Sequence, residues 1–311
     1  MVEDISYTPQ EVAKILRISK FTVYELIKRG ELAAYRVGRK VRVDASDLEA
    51  YKRKTKKIAG NEYQNNCPLE ADFFPVSEGL IISGQDVILD LLTRHMEKQM
   101  PNIFFLRQYT GSIDGLIALY KGKANAVTAH LWDSDTDDYN IAYVRRILPG
   151  QKTVIINLVY RMEGFYVAVG NPKKILDWPD LLKSGVTFLN REKGAGARVL
   201  LDEKLKVLGI DADKIDGYEH EELSHLAIAS AVAQGKVDVG LGIEKAAFQV
   251  KGVDFIPLQK ERYDLVIRKE DLGKNHFKLL LATLRSADFR TEVDGMGGYD
   301  TSEMGKIIAE L

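Results

Sequence analysis

From Gly79 onward the chain alternates between short apolar runs and longer amphipathic ones, and this alternation constrains the fold more than any other feature. "GLIISG", "NIFFLRQ" and "ANAVTAHLW" read as strands, separated by "QDVILDLLTRHMEKQ" and "SIDGLIALYKG", whose apolar residues recur at helical spacing. After "TVIINLVY" comes a second set: "GFYVAVG", "WPDLLKSG", "VTFLN", "ARVLLDEKLKVLG", "DGYEH", "LSHLAIASAVAQG" and "VDVGLGI". Strands that alternate with helices imply parallel sheets covered on both faces. Two sets of similar size predict two α/β lobes over residues 77–311, the second at about 162–260, with "FIPLQKERYDLVIRK" returning the chain to the first. Ligands in such architectures sit at the carboxyl ends of strands, in the cleft.

Four strand-to-helix turns carry the residue types of an oxyanion cradle. Ser83 and Gly84 precede one helix, and Thr110, Gly111 and Ser112 occupy the same place one unit later. "NREKGAGAR" puts Gly194, Ala195, Gly196, Ala197 and Arg198 at a turn of the second lobe, and Ser224-His225 opens another helix. Small residues, hydroxyls and the free amides of a helix N-terminus together suit an anion. One such turn is only what a tight connection needs. Four at equivalent positions point to a shared cleft. Arg198 can instead pair with Glu192 or a carboxylate of its own helix, Arg161 reads equally as a hinge residue, and Tyr263 and Tyr299 fit core or lid.

The first 57 residues differ in charge and pattern. They hold 14 Lys/Arg against 8 Asp/Glu, whereas the remainder holds 30 against 37. A basic head on an acidic body points to a nucleic-acid contact confined to one end. Thr8-Pro9-Gln10-Glu11 is a capping box with proline at the first helical position, and Val12, Ala13, Ile15 and Leu16 give a short apolar stripe. Ser19 can cap a second helix that Gly30 stops. Lys20, Thr22, Tyr24 and Lys28 then face outward, with Val23, Leu26 and Ile27 inward. "ELAAYRVGRKVRV" reads as a hairpin with a basic tip at Val37-Gly38-Arg39-Lys40, and "DASDLEAYKRK" as a third helix. Residues 58–76 are polar and irregular and read as a linker.

This order of helix, turn, helix, wing, helix resembles the excisionase/MerR-type winged helix-turn-helix over residues 6–52. That resemblance implies double-stranded DNA as partner. Ser19, Lys20, Thr22 and Tyr24 would face the major groove, Lys28 lies on the same face, and Arg39, Lys40 and Arg42 would meet phosphates or the minor groove. The body resembles the type 2 periplasmic-binding-protein fold, most closely its cytoplasmic molybdate-binding-like branch fused to helix-turn-helix domains. The matching text is "YRMEGFYVAVGNPKKILDWPDL" leading to "FLNREKGAGAR", then "SHLAIASAVAQGKVDVGLGIEKAA", "YDLVI" and "GGYD". Where the family reads G-S-G-T-R, this chain has Gly194-Ala195-Gly196-Ala197-Arg198. Two hydroxyls are absent, which leaves backbone amides and Arg198 to hold an anion.

Other chemistries find little support. His220 and His225 are five apart, whereas a zinc helix needs four. Asp133, Asp135, Asp137 and Asp138 lack the glycine and terminal glutamate of a calcium loop and read as a solvated, mobile loop. There is no phosphate loop of the G-x-x-x-x-G-K-[ST] type, no nucleophile with a base at workable spacing and no metal-ligand set, so neither an enzyme nor a resident cofactor is expected. Cys67 is the lone cysteine, in keeping with a reducing cytoplasm. No export signal opens the chain and no apolar run reaches bilayer length. The expectation is a cytoplasmic, homodimeric, one-component transcription regulator that senses molybdate, tungstate or another small anionic metabolite. The alternative is an oxyanion-binding or molybdenum-cofactor accessory protein whose head only tethers.

Overall fold

The computed structural model describes residues 6–16, 18–38, 40–58 and 79–311. Arg39, and all of the expected linker except Ile58, lie outside the described residues. Contacts divide the chain into two compact units, Met1–Phe74 and Pro75–Leu311.

The N-terminal unit runs β1 (Ser6–Tyr7), α1 (Pro9–Leu16), α2 (Lys20–Lys28), β2 (Tyr35–Val37), β3 (Lys40–Asp44) and α3 (Ala45–Ile58). The capping box closes as its residues require: Thr8 N donates to Glu11 Oε2 at 2.7 Å and Glu11 N to Thr8 Oγ1 at 3.3 Å. Donation from Thr8 N and from Thr8 Oγ1 holds the Glu11 carboxyl below its ordinary pKa. Helix α2 ends where Gly30 turns left-handed at φ 72°. Strand β1, which the sequence does not reveal, pairs with β3 and extends the wing to a sheet of order β1-β3-β2. Val12, Ala13, Val23, Leu26, Leu32, Val43 and Leu48 form the core beneath it.

The second unit continues with β4 (Gly79–Ser83), α4 (Ile88–Gln99), β5 (Phe104–Gln108), α5 (Ser112–Tyr120), β6 (Ala126–Ala129), β7 (Trp132–Asp133), β8 (Asp138–Tyr139), α6 (Ile141–Ile147) and β9 (Thr153–Ala168). Then come β10 (Phe188–Arg191), α7 (Gly196–Leu208), β11 (Glu221–Glu222), α8 (His225–Ala233), β12 (Val239–Ile243), α9 (Glu244–Ala247), β13 (Val253–Arg268), α10 (Asn275–Arg285), α11 (Ala287–Gly295) and β14 (Ile307–Glu310). One nine-stranded sheet has the order β11-β10-β12-β9-β13-β6-β4-β5, with β14 added on β9. The expected α/β body with two lobes is present, but the lobes share a sheet. "TVIINLVY" and "GFYVAVG" are not separate strands; with the intervening Arg161-Met162-Glu163 they make the 16-residue β9. It pairs antiparallel with the 16-residue β13 from Thr153↔Arg268 to Ala168↔Val253. The register shifts at Pro257/Gln259 and at Tyr263/Asp264, so a bulge lies on each side of the crossing from lobe to lobe. Among the described residues no helix is long and apolar enough to cross a membrane.

Helices cover both faces of each half of the sheet. In the first lobe α4 and α10 bury Ile88, Leu92, Phe277 and Leu280 on one side, while Leu116, Leu119 and Val144 fill the other. The second lobe repeats this with Phe165, Phe188 and Leu201 on one face and Tyr166, Ile228 and Val232 on the other. Each of these large apolar side chains contributes about 1.5–3 kcal/mol on burial.

Two further expectations are corrected. "DGYEH" is not a strand: Gly217 takes φ 88° and passes so close to β10 that a Cβ would lie 2.1 Å from the Phe188 carbonyl oxygen. The edge strand is Glu221–Glu222 instead. The acidic run at 133–138 is not a solvated loop but a hairpin, β7–β8, tied by its own carboxylates. Buried Asp133 accepts from Thr136 Oγ1 at 2.7 Å, Asp137 from Trp132 Nε1 at 3.1 Å, and Asp138 pairs with Arg262 at 2.7 Å.

Gly84 is the glycine the first lobe cannot replace. Its φ is 150°, and a Cβ there would sit 2.0 Å from Thr128 Oγ1. Gly84→Ala should destabilise the α/β unit by about 2–4 kcal/mol through strain and overpacking. Both tryptophans of the chain, Trp132 and Trp178, lie in this unit, so fluorescence-detected urea unfolding of the full chain reads the loss directly.

Candidate functional site

In the N-terminal unit the packing of Val23 and Leu26 inward leaves Lys20, Thr22, Tyr24 and Lys28 exposed on α2. Phe21, missed in the sequence, joins them at 75% exposure. Ser19 is exposed but committed locally: its Oγ accepts from Thr22 N at 3.1 Å and lies 2.8 Å from Thr22 Oγ1, which caps the helix. On the wing Lys40 is exposed and Arg42 half-buried opposite Tyr35, with Gly38 left-handed at the turn.

In the second unit the strand-to-helix turns converge. Gly111 at the start of α5 meets the start of α7 so closely that a Cβ on it would lie 3.1 Å from Ala195 N. Ile113 N donates to the Gly194 carbonyl at 3.0 Å, a backbone hydrogen bond from lobe to lobe. Behind this contact lies a cavity of about 40 Å³, whose wall includes Gly111 and Ser112 from α5, Ala195 and Gly196 from α7, and His225 from α8. Three helix N-termini thus face one small space, and the first amides of a helix have no intrahelical partner. Thr110 completes this part of the wall.

Several expected residues stand elsewhere. Ser83 is buried behind the wall with its Oγ hydrogen-bonded to Thr110 Oγ1, and Gly84 packs on Thr128. Gly194 closes the lobes through its carbonyl, and Ala197 is buried one position beyond the wall. Ser224 caps α8 by accepting from Ala227 N at 3.1 Å and lines an outer groove of about 600 Å³ with Tyr109, Leu223 and Leu226. Arg198 does not reach the cavity. It pairs with Asp202 four residues on at 3.2 Å and with Glu221 at 3.5 Å, and stacks on Tyr218 at 4.1 Å. The helix carboxylate therefore competes successfully for this guanidinium.

The charged side chains of the cavity come from other positions. Arg191, the last residue of β10, reaches Gln85 Oε1 at 2.7 Å and Glu192 Oε2 at 2.7 Å, so it also ties the lobes together. Arg161 crosses from β9, held by Asp86 and Glu261 and stacked over the Tyr263 ring at 4.0 Å. Tyr299 donates to Asp86 at 2.7 Å, and His130 Nδ1 lies 2.7 Å from Glu261 Oε2. A signal for part of this set exists in the sequence: Arg161 and Glu163 stand two apart inside an otherwise apolar strand, and that period puts both on one face. Nothing local marks Asp86, His130 or Arg191.

Burial governs the protonation states. It raises the Glu163 carboxyl well above the usual range, and the Glu261 charge raises it further. Burial acts on Glu261 in the same direction, but Arg161 and His130 outweigh it and hold Glu261 well below the usual range. The charge of this pair thus resides on the member that touches Arg161. His225 Nδ1 is buried without a partner, and burial together with Arg191 keeps the imidazole well below its ordinary pKa.

A histidine held neutral in the fold binds its proton more readily when unfolded. Its contribution is present above the unfolded value of 6.5 and is lost as pH falls below it. Stability should therefore fall between pH 7 and pH 5, with up to about 1.4 kcal/mol per pH unit from His225. Urea midpoints across this range should show a smaller slope for His225→Gln.

Comparison with known proteins agrees with this architecture. A family model described as a PBP superfamily domain matches residues 93–285, and one described as a helix-turn-helix domain matches residues 6–56. The uncharacterized protein YvgK of Bacillus subtilis (strain 168) is 44% identical over 314 residues, covering 100% of both chains. A Clostridium pasteurianum protein from the 5′ region of a 2Fe-2S ferredoxin gene is 57% identical over 113 residues, covering 36% of this chain and 100% of its own. A putative phosphate ABC transporter substrate-binding protein from Clostridium perfringens, solved with bound phosphate, superposes with a TM-score of 0.53 at 14% identity, covering 72% of this chain and 99% of that one. A tungstate ABC transporter structure from Geobacter sulfurreducens gives 0.53 at 13% identity, covering 70% and 98%. At these identities the two structures share the fold. The chain belongs to the PBP superfamily, with a helix-turn-helix domain joined to its N-terminal side.

Proposed function

We propose that this protein is a ligand-responsive, DNA-binding regulator whose α/β unit closes on a small oxyanion. The observation that carries the reading is the convergence of three helix N-termini on one cavity of about 40 Å³. A single water needs roughly 10–15 Å³ by this measure, so the space suits a tetrahedral anion. Molybdate or tungstate is the first choice, with phosphate and sulfate of matching shape. The amides of Ser112, Gly196 and His225 would donate to the anion with Arg191. Asp86 and Glu261 orient Arg161 and offset its charge, so recognition falls on preorganised donors rather than on a bare cation. The two solved folds whose names include phosphate and tungstate support this class of ligand.

An anion that bridges the lobes binds the closed form better than the open one and shifts that equilibrium, which is the signal available to the DNA-binding head. The head would read double-stranded DNA with Lys20, Thr22, Tyr24 and Lys28, while Arg39, Lys40 and Arg42 hold phosphates. Discrimination by one short helix is limited, and a homodimer on two half-sites supplies the remainder.

Calorimetry against molybdate, tungstate, phosphate and sulfate should give one site per chain for at least one anion. Arg191→Ala should weaken it by about ten- to a hundredfold, the worth of a hydrogen bond to a charged group, and Arg198→Ala should change affinity little. No binding by any of the four would overturn the oxyanion reading.

On DNA, Lys40→Ala and Arg42→Ala should each lower the slope of log affinity against log salt by about one unit on every sequence. Lys20→Ala and Thr22→Ala should relax sequence preference instead. Sedimentation equilibrium should show a dimer; equal behaviour of the two groups of variants on operator and random DNA would refute the division of roles.

A further inference from the structure

We infer that His130, Glu163 and Glu261 form a binding site for one divalent first-row transition-metal ion at the crossing of β9 and β13. One ligand atom from each of the three, all from buried residues, can be chosen so that these atoms lie within 4.8 Å of one another. His130 Nδ1 stands 2.7 Å from Glu261 Oε2 and 4.0 Å from Glu163 Oε2. As a carboxylate, Glu163 has no hydrogen-bond donor for either oxygen although it is 0% exposed. A buried carboxyl in that position either keeps a proton or takes a cation that partners both oxygens.

Charge points the same way. With every carboxyl ionised, Asp86, Glu163 and Glu261 would set three negative charges about Arg161, two in excess, one of which a proton on Glu163 cancels when no metal is bound. Asp86 and Arg161 already hold each other, so the deficit falls on the Glu163–Glu261–His130 face. A proton there cancels one charge and a divalent ion cancels both. One imidazole and two carboxylates, with no thiolate, suit Zn²⁺, Mn²⁺, Fe²⁺ or Co²⁺ rather than Cu⁺. The three residues come from the end of β6 and from both crossing strands, so no spacing along the chain reveals the set. The site adjoins the anion's amide cradle through His130, which lines the cavity beside Gly196, but uses different ligand atoms, so the inference stands whether or not an oxyanion occupies the cavity.

The test uses the full chain freed of metal by chelator dialysis, without DNA or oxyanion. Calorimetric titration with Zn²⁺ and with Mn²⁺ should show one ion per chain for at least one of them, and Co²⁺ should give a visible spectrum showing nitrogen and oxygen ligation. Glu163→Gln and His130→Gln should each weaken binding by at least about a hundredfold while circular dichroism stays unchanged. If either variant fails to fold, the stoichiometry and Co²⁺ spectrum of the unaltered protein decide. Absence of binding up to millimolar metal, or binding that survives both substitutions, overturns the site. Failure to bind metal combined with a more stable Glu163→Gln variant would assign the pair a shared proton instead.

Discussion

The antiparallel pairing of β9 with β13 is the constraint on which the α/β unit depends. Each strand runs 16 residues and belongs to both lobes, so the two halves are joined by a ladder of backbone hydrogen bonds rather than by loops. The register sets Arg161 opposite Glu261 at the crossing. Between the flanking bulges the strands twist, and the alternate residues Arg161 and Glu163 point to one side with Glu261 and Tyr263. A cleft floor made of charged residues on two central strands is costly unless every charge is partnered. Asp86, Tyr299 and His130 supply those partners from three different elements, and the floor in turn orients the groups that face the cavity.

The walls follow from a different rule. Each lobe places the carboxyl ends of its parallel strands toward the other, so the following helices begin at the cleft. The small residues at these turns let the backbones approach: Gly111 admits Ala195, and Gly196 admits the His130 ring, where a Cβ would sit 2.5 Å from it. A hydroxyl-bearing turn would have brought more donors. Gly194-Ala195-Gly196-Ala197 brings closer packing instead, and the lobes meet backbone to backbone through Ile113 N and the Gly194 carbonyl. The result is a space of about 40 Å³ between the lobes.

Much of the fold was legible in the sequence. Apolar runs at two periods announced strands and helices, Thr8 and Glu11 announced the capping box, and Gly30 announced a helix end. Of the cavity wall, Thr110, Gly111, Ser112, Ala195, Gly196 and His225 were marked by small or hydroxyl residues just after a strand. Ser83 and Arg198 were marked by the same signal and are used elsewhere, because Thr110 takes the serine hydroxyl and Asp202 with Tyr218 takes the guanidinium. Local pattern gives the position of a side chain on its element; it does not say which neighbour wins it.

By itself, therefore, the sequence determined the kinds of element, their order and the places where helices begin, since propensity, capping and hydrophobic period act over a few residues. Only the tertiary structure decided that "TVIINLVY" and "GFYVAVG" are one strand, that the acidic run at 133–138 folds on itself, and that Asp86, His130, Arg161 and Arg191 line one cavity, with Glu261 holding Arg161 and His130. These residues lie up to 175 positions apart, from Asp86 to Glu261. What joins them is the pairing of two long strands, and that pairing leaves no trace in any short window of the chain.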